Sequence, residues 1–459
     1  MSTVGFIHEL SFETVPDEVV KQAKRCLLDL IGVAASGAQT DLSRMARNFA
    51  VRQMGTSERG ARILFDGRTA SPAGAAYAGA STIDAFDAHD GHALTKGHAG
   101  VAVLPSLLAV ADAGGRIGGR DFLLCLILGY EVATRAGIAL HAGASDYHTS
   151  GAWNALGCAA VAARLLGLGA SATRHALGIA EYHGPRSQMM RCIDHPTMLK
   201  DGSGWGALAG VSGAYLAADG FTGAPAVTVE AEEHRSVWSD LGARWRILEQ
   251  YHKPYAVCRW AQPAIDAADA LMTRHQITPG RIAKVRVETF AAAVRLGCRA
   301  PATTEEAQYA LGFPLAAMLV RRQVGAAEIT HGGLRDPDVL RMAQRIVLQE
   351  NEALTRRFPA ERVALVTIEQ IDGTLVTSDL TAARGDPDDA LRDDELLRKF
   401  RRLADGLDDE RRRRIETEIA GLDRRDSALE TLLELVLSVG SEPANLPKER
   451  EGFEPGIGS

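Results

Sequence analysis

Seven ionisable side chains crowd the fifteen residues from Asp84 to His98: Asp84, Asp87, His89, Asp90, His92, Lys96 and His98. The apolar run VAVLPSLLAVA follows almost at once. Burial penalises the charged forms of such groups. Beside a core-forming run they must therefore pair with one another, bind an ion or line a cleft. Gly91 and Gly97 let the segment fold back sharply. His98 then falls at the start of the helix that the apolar run predicts. There the positive end of the helix dipole favours a neutral imidazole, fit to accept a proton. Asp87 and His98 are the candidate acid–base pair, and His89 and His92 are either site residues or helix caps. The pattern D-x-H-D-x-H (Asp87, His89, Asp90, His92) also offers nitrogen and oxygen ligands to a divalent cation, and a metal-dependent hydrolase is the rival reading. No H-E-x-x-H helix accompanies it, so no metal is expected.

Three further segments carry reactive groups. In DYHTSGAWNALGCAAVAARLLGL, His148 stands just before a helix of small residues, as a cap or as a second base. Residues 182–210 bring Arg186, Arg191, His195 and Lys200 up to a glycine-rich turn that opens a helix, an arrangement suited to carboxylate or phosphate. A G-x-x-x-x-G-K-[ST] loop is absent, which argues against a nucleotide. Residues 251–266 place Lys253, Cys258 and Arg259 just ahead of a helix. Cys258 is the cysteine to watch, although no base that would activate it is readable nearby.

These residues have to be held by helices. The stripe Val20, Ala23, Leu27, Leu30, Ile31 and Ala34 predicts a helix over 17–36, opened by Pro16. Helices are also expected at 101–113, 119–140, 149–167, 172–182, 204–219 and 261–274, many rich in Ala and Gly and so able to pack closely. Alternation in AKVRVETF (283–290) and in ALVTIEQIDGTLVTS (364–378) predicts a strand and then a hairpin turning at Asp372-Gly373, with helices at 305–322 and 336–356 between them. Charged helices follow at 393–405, 408–421 and 426–438. The fold expected is mainly α. Helices fill residues 1–275 and return over 386–440, an α+β domain spans 276–385 between them, and 441–459 form a disordered tail.

A net charge of −7 over 459 residues gives no support for nucleic-acid or membrane-surface binding. The start of the chain lacks a secretory pattern, and the expected location is cytoplasmic. The six cysteines contain no C-x-x-C pair, which disfavours zinc ribbons and iron–sulfur clusters.

In this order, the segments resemble the MmgE/PrpD family, which includes 2-methylcitrate dehydratase, cis-aconitate decarboxylase and iminodisuccinate epimerase. The likeness covers nearly the whole chain. Asp87-Ala88-His89-Asp90 followed by His98-Ala99-Gly100 looks like the family's acidic loop, and His148 like the histidine that opens its next helix. Lys200 and Lys253 look like its two lysines, the second in KPYAVC. The resemblance implies a homodimer with the α+β domain as a lid, no cofactor, and a di- or tricarboxylic acid as substrate. It implies one all-α domain built from both ends of the chain, residues 1–275 and 386–440. It also implies Asp87, His98, His148, Lys200 and Lys253 as site residues, the first three catalytic and the lysines on the substrate. Arg191, Cys258, His92 and Tyr309 are the further substrate-binding candidates of the same segments. Gly91 stands where the family carries Thr, and Ser203 where a histidine follows the first lysine. Phe313 takes the place of a tyrosine, with Tyr309 one turn earlier. Elimination of water with histidines as base and acid is the first expectation. Decarboxylation and epimerisation share its carbanion-like intermediate, and a catalytically inactive binding protein is the alternative that Ser203 and Phe313 motivate.

Overall fold

The computed structural model describes residues 2–56, 59–114, 117–297, 300–425 and 427–439. Cys298 and the expected tail at 441–459 lie outside the described residues.

Helix α1 (Asp17–Gly37) begins after Pro16 with Asp17 and Glu18 in its first turn, where carboxylates complement the unpaired N–H groups. The helices that follow are α2 (Pro72–Asp84), α3 (Gly100–Gly114), α4 (Gly119–Gly143), α5 (Gly151–Leu165), α6 (Ala170–His183) and α7 (Ser203–Ala218). Helix α5 lies at the centre, packed on α3, α4, α6 and α7, and every residue from Gly151 to Ala163 is buried. Small side chains allow a helix to be surrounded in this way. Helix α4 is long and apolar enough to cross a membrane, but 94% of its most apolar window is buried inside the fold. Its apolarity serves this core, as expected of a helix hydrophobic all round. A helix at Asp41–Gln53, opened by the Thr40 side chain on the Ser43 N–H, was not legible in the sequence.

After α8 (Gln262–Arg274) the chain enters a mixed sheet. Strand β1 (Ile282–Thr289) is followed by α9 (Gly312–Arg321), β2 (Ile346–Glu350), β3 (Val363–Gln370), β4 (Leu375–Thr377) and β5 (Thr381–Ala382). β2 pairs parallel with β1, β1 antiparallel with β3, and β3 antiparallel with β4 and β5. Two expectations need correction. The helix expected at 336–356 ends at Ala343 and gives way to β2, because pairing with β1 supplies backbone partners that outweigh a weak local preference. The helix expected at 305–322 is two pieces, Thr304–Gln308 and α9, and the break falls at Tyr309.

Helices α10 (Asp393–Leu403), α11 (Asp409–Gly421) and α12 (Ala428–Val436) close the described chain. α10 packs along α1: Lys399 meets Asp29 at 2.5 Å, and the Ser36 hydroxyl donates to the Leu403 carbonyl at 2.5 Å.

Candidate active site

The acidic segment leaves α2 at Asp84 and returns to helix at Gly100, and its carboxylates and histidines are buried while Leu94 is exposed at its tip. A two-residue antiparallel pairing, Gly91 with Tyr251 and His92 with Gln250, joins it to the segment that carries Lys253 and Cys258. Gly91 is required here. A Cβ would lie 2.5 Å from the Tyr251 hydroxyl and 2.7 Å from His98 Nδ1, which leaves no room for the threonine seen in the family. Gly97 is held in the same way by the Ser150 hydroxyl, 2.5 Å from where its Cβ would be.

These elements enclose a cavity lined by Asp87, Lys96, His98, Tyr147, Met189, Ile193, Asp201, Tyr251, Lys253, Cys258, Arg259, Trp260, Tyr309 and Arg362. The free space is about 30 Å³, room for about two water molecules. A dicarboxylate needs several times that, so its entry requires the walls to part.

His98 is fixed at both ends. Its backbone N–H donates to Ser150 Oγ at 3.0 Å, and its Nδ1 lies 2.6 Å from the Asp90 carbonyl. A carbonyl only accepts, so Nδ1 carries the hydrogen and Nε2 keeps its lone pair. Nε2 faces two carboxylates, Asp87 at 3.8 Å and Asp201 at 3.7 Å. Burial, reinforced by the ammonium group of Lys253, holds the imidazole far below its ordinary range and therefore neutral. His89 lies edge-on to it, ring centroids 4.2 Å apart, and is pushed down to about 3 by burial and then by Lys253.

The two carboxylates differ. Burial alone would raise Asp87, but the Lys253 ammonium bonded to it, with His98 and Lys200 nearby, brings it below the usual range. Asp201 is raised by burial and then by Asp84, and the hydrogen bond that Ser150 Oγ donates to it at 2.7 Å only partly offsets this. One side of His98 is a held carboxylate, and the other favours a carboxylic acid.

Of the expected site residues, Asp87, His98, Lys253, Cys258 and Tyr309 line this cavity. The expected constellation around them is not assembled. His148 stands outside: its Nδ1 lies 2.9 Å from the Asp146 carbonyl, its ring stacks near His141, and its neighbour Tyr147 takes the wall. His148 bridges to Gln188 in extended backbone, where consecutive side chains point to opposite sides. Lys200 lies behind the wall, 2.5 Å from Gln308 Oε1 and over the Tyr309 ring, while Asp201 faces the cavity. Arg191 is exposed on a short helix, Met189–Asp194. His92 turns to Glu249 at 2.9 Å. Cys258 is held as a thiol, pushed up to about 12 by burial and by Asp87, and so is no nucleophile. Phe313 is core and Ser203 is buried beside Asn154, so neither missing group leaves a gap in the wall. Tyr309 supplies the phenol there.

The loop does not assemble the four-ligand metal set either. Asp90 accepts from Tyr130 at 2.6 Å, and His92 is taken by Glu249. Asp87, His89 and His98 do offer atoms within 4.8 Å of one another. Lys253, bonded to Asp87, already supplies the positive charge there, and the wall adds Lys96, Arg259 and Arg362, so the balance suits an anion. Arg259 is partly spent on Asp386 at 2.7 Å and on the carbonyls of Ala383 and Arg384. Lys96, Tyr147, Tyr251, Asp201, Trp260 and Arg362 were not among the expected site residues. Lys96, with φ +51°, sits in a left-handed conformation, as Phe65, Gln276, Arg322 and His331 do elsewhere in the chain.

Helices around a buried acid–base pocket, with Arg362 brought into its wall from the edge of a small sheet, define an enzyme-like architecture for a small anion. The MmgE/PrpD N-terminal domain matches residues 2–239 and the MmgE/PrpD C-terminal domain residues 255–424. The chain belongs to the MmgE/PrpD family, whose members are lyases acting on small carboxylic acids. It is 26% identical over 470 residues to a cis-aconitate decarboxylase of Aspergillus terreus, with 93% of each chain covered. It is 24% identical to the cis-aconitate decarboxylase-like protein oryM of Aspergillus oryzae, over 93% of this chain and 95% of that one. The human cis-aconitate decarboxylase is 32% identical over 187 residues, 39% of this chain and 38% of the relative.

Proposed function

We propose that this protein is a lyase that releases CO2 from a small unsaturated di- or tricarboxylic acid of the cis-aconitate kind. The observation that carries this is the neutral imidazole of His98, its Nε2 turned to a buried cavity whose walls bear Lys96, Lys253 and Arg362. End-to-end likeness to proteins named cis-aconitate decarboxylases favours decarboxylation over dehydration. So does the position of His148: elimination of water by two imidazoles requires a second one in the pocket, whereas decarboxylation requires only a proton donor.

In this reaction the cations hold the carboxylates. The carboxylate on the saturated carbon next to the double bond leaves as CO2, and its bond pair moves through the double bond towards a second carboxylate. Lys253 and Arg362 offset the charge that gathers there. The carbon that receives the electron pair takes one proton from His98. The free enzyme keeps His98 neutral, but a bound polyanion favours the imidazolium, so His98 takes up its proton as the substrate binds. Asp87 steadies Lys253 and faces His98 as its counter-charge.

Purified protein incubated with cis-aconitate in D2O is expected to release CO2 and to give a product with a new vinyl signal and one solvent deuterium. Release of water from a hydroxy acid such as 2-methylcitrate, without CO2, would replace decarboxylation by dehydration. Turnover of neither acid would overturn the proposal.

A further inference from the structure

Asp201 is an acid that the fold does not account for. It is buried at 3% exposure, and no lysine or arginine among the described residues comes within 4.0 Å of its carboxylate. Its Oδ1 is buried and has no hydrogen-bond partner among the described residues, although the side chain lines the cavity. Lys253, the nearby ammonium group, is spent on Asp87, and Lys200 on Gln308. A carboxylate left thus would cost several kcal/mol, so a group of this kind without a partner marks either a neutral acid or a functional one.

Its position is nonetheless exact to the chemistry. Ser150 Oγ donates to Asp201 Oδ2 at 2.7 Å and accepts from the His98 backbone N–H at 3.0 Å. The Gly151 N–H donates to the Asp201 carbonyl at 3.1 Å. One turn at the start of α5 therefore sets both the acid and the imidazole, and leaves Asp201 Oδ2 3.7 Å from His98 Nε2. A closure of about 1 Å brings the two into hydrogen-bond range, and such contacts commonly tighten only once substrate is bound.

We propose that Asp201 supplies His98 with the proton that His98 delivers to the substrate, an assignment that rests on the lyase reading above. As the anionic substrate enters, the Asp201 O–H bond breaks and an N–H bond forms at His98 Nε2. When CO2 leaves, the electron pair it releases takes that proton on carbon, the imidazole is neutral again, and water reprotonates Asp201 after product departs. Asp201 acts through His98 and is a positioning and proton-supplying residue. The charged groups around it agree with a stored proton. Asp84 and Asp87 oppose its ionisation, whereas Lys253 and the Ser150 hydroxyl favour it. Tyr147, Cys192, Tyr309, Cys258 and Tyr251 stay in their uncharged forms, and Lys96, Arg259 and Arg362 share the cavity as cations.

The test is a pair of variants, Asp201→Asn and Ser150→Ala, assayed for CO2 release across pH. D201N is expected to lose about 100-fold in kcat with KM changed by no more than about threefold. The wild-type kcat falls on the alkaline side as Asp201 gives up its proton, and that limb disappears in D201N. In S150A the limb moves to higher pH, because a hydrogen bond that favours the carboxylate is gone. In the infrared difference spectrum of wild type minus folded D201N at neutral pH, a positive carboxylic-acid C=O component is expected besides, over the band that the other buried acids leave in both proteins. An active wild type with D201N within about threefold of it in kcat, or an alkaline limb that stays in place in both variants, overturns the role of Asp201 alone. A wild type that turns over none of the acids overturns the lyase reading and this proposal with it.

Discussion

Two buried lysine–aspartate pairs lie close together in this molecule and behave differently. Lys253 and Asp87 face the cavity, where Asp87 is held below its ordinary range and Lys253 above its own. Lys399 and Asp29 join α10 to α1 at 2.5 Å, and here burial wins: Asp29 is raised and Lys399 lowered. The residue types are the same, and both pairs are almost fully buried. What differs is the company. Asp87 has the Lys200 ammonium besides its partner and faces two imidazoles able to take up a proton, while Asp29 adds to Lys399 the more distant Lys253 and a backbone N–H of Asp90. A pair ringed by positive and titratable groups stays ionised and can act on an anion; a pair with little else around it serves as a strut. Lys399 also donates to the Ala88 carbonyl at 2.6 Å, so the strut supports the very loop that presents Asp87.

Breaking each pair in turn separates the two roles. Lys253→Met is expected to lower kcat/KM by more than about 100-fold and to destabilise the fold by about 3–5 kcal/mol, since it strands a buried carboxylate. Kinetics together with urea unfolding would detect both losses. Lys399→Met is expected to cost a similar 3–5 kcal/mol on unfolding but to leave kcat/KM of the folded protein within about threefold. Replacing both members, Asp29→Leu with Lys399→Met, should recover most of that stability, because no buried charge remains unpaired. A K399M protein as stable as wild type would remove the strut. His148→Ala is expected to have the smallest effect, a loss in kcat/KM of no more than about fivefold. A loss matching that of a His98 variant would mean that the segment 141–148 swings its imidazole into the pocket during turnover.

Much of this was readable beforehand, for definable reasons. The helices of the core announced themselves through apolar spacing and small residues, as in α1 and α5. Asp87, His98 and Lys253, which the sequence singled out because glycines and a following helix mark their loops, lie together on the cavity wall. Tyr147 and Asp201, which line the cavity, each lie one residue away from a candidate the sequence offered, His148 and Lys200. In the first case an extended backbone sends neighbours to opposite sides. In the second, Lys200 sits in a left-handed turn at φ +49°, which composition does not reveal. Arg362 gave no signal at all: it reaches the cavity only because β3 begins next to it and carries it against the Ala93 carbonyl. β2 was hidden for a related reason, since its partner β1 lies far away in sequence.

The central claim is that His98 passes a proton to the carbon that CO2 leaves behind, and His98→Asn tests it most directly, because the amide keeps polarity near the ring but cannot act as an acid or base at that site. On cis-aconitate, H98N is expected to retain binding of the acid while CO2 release falls by about 100-fold or more. CO2 release within about threefold of wild type would contradict the account.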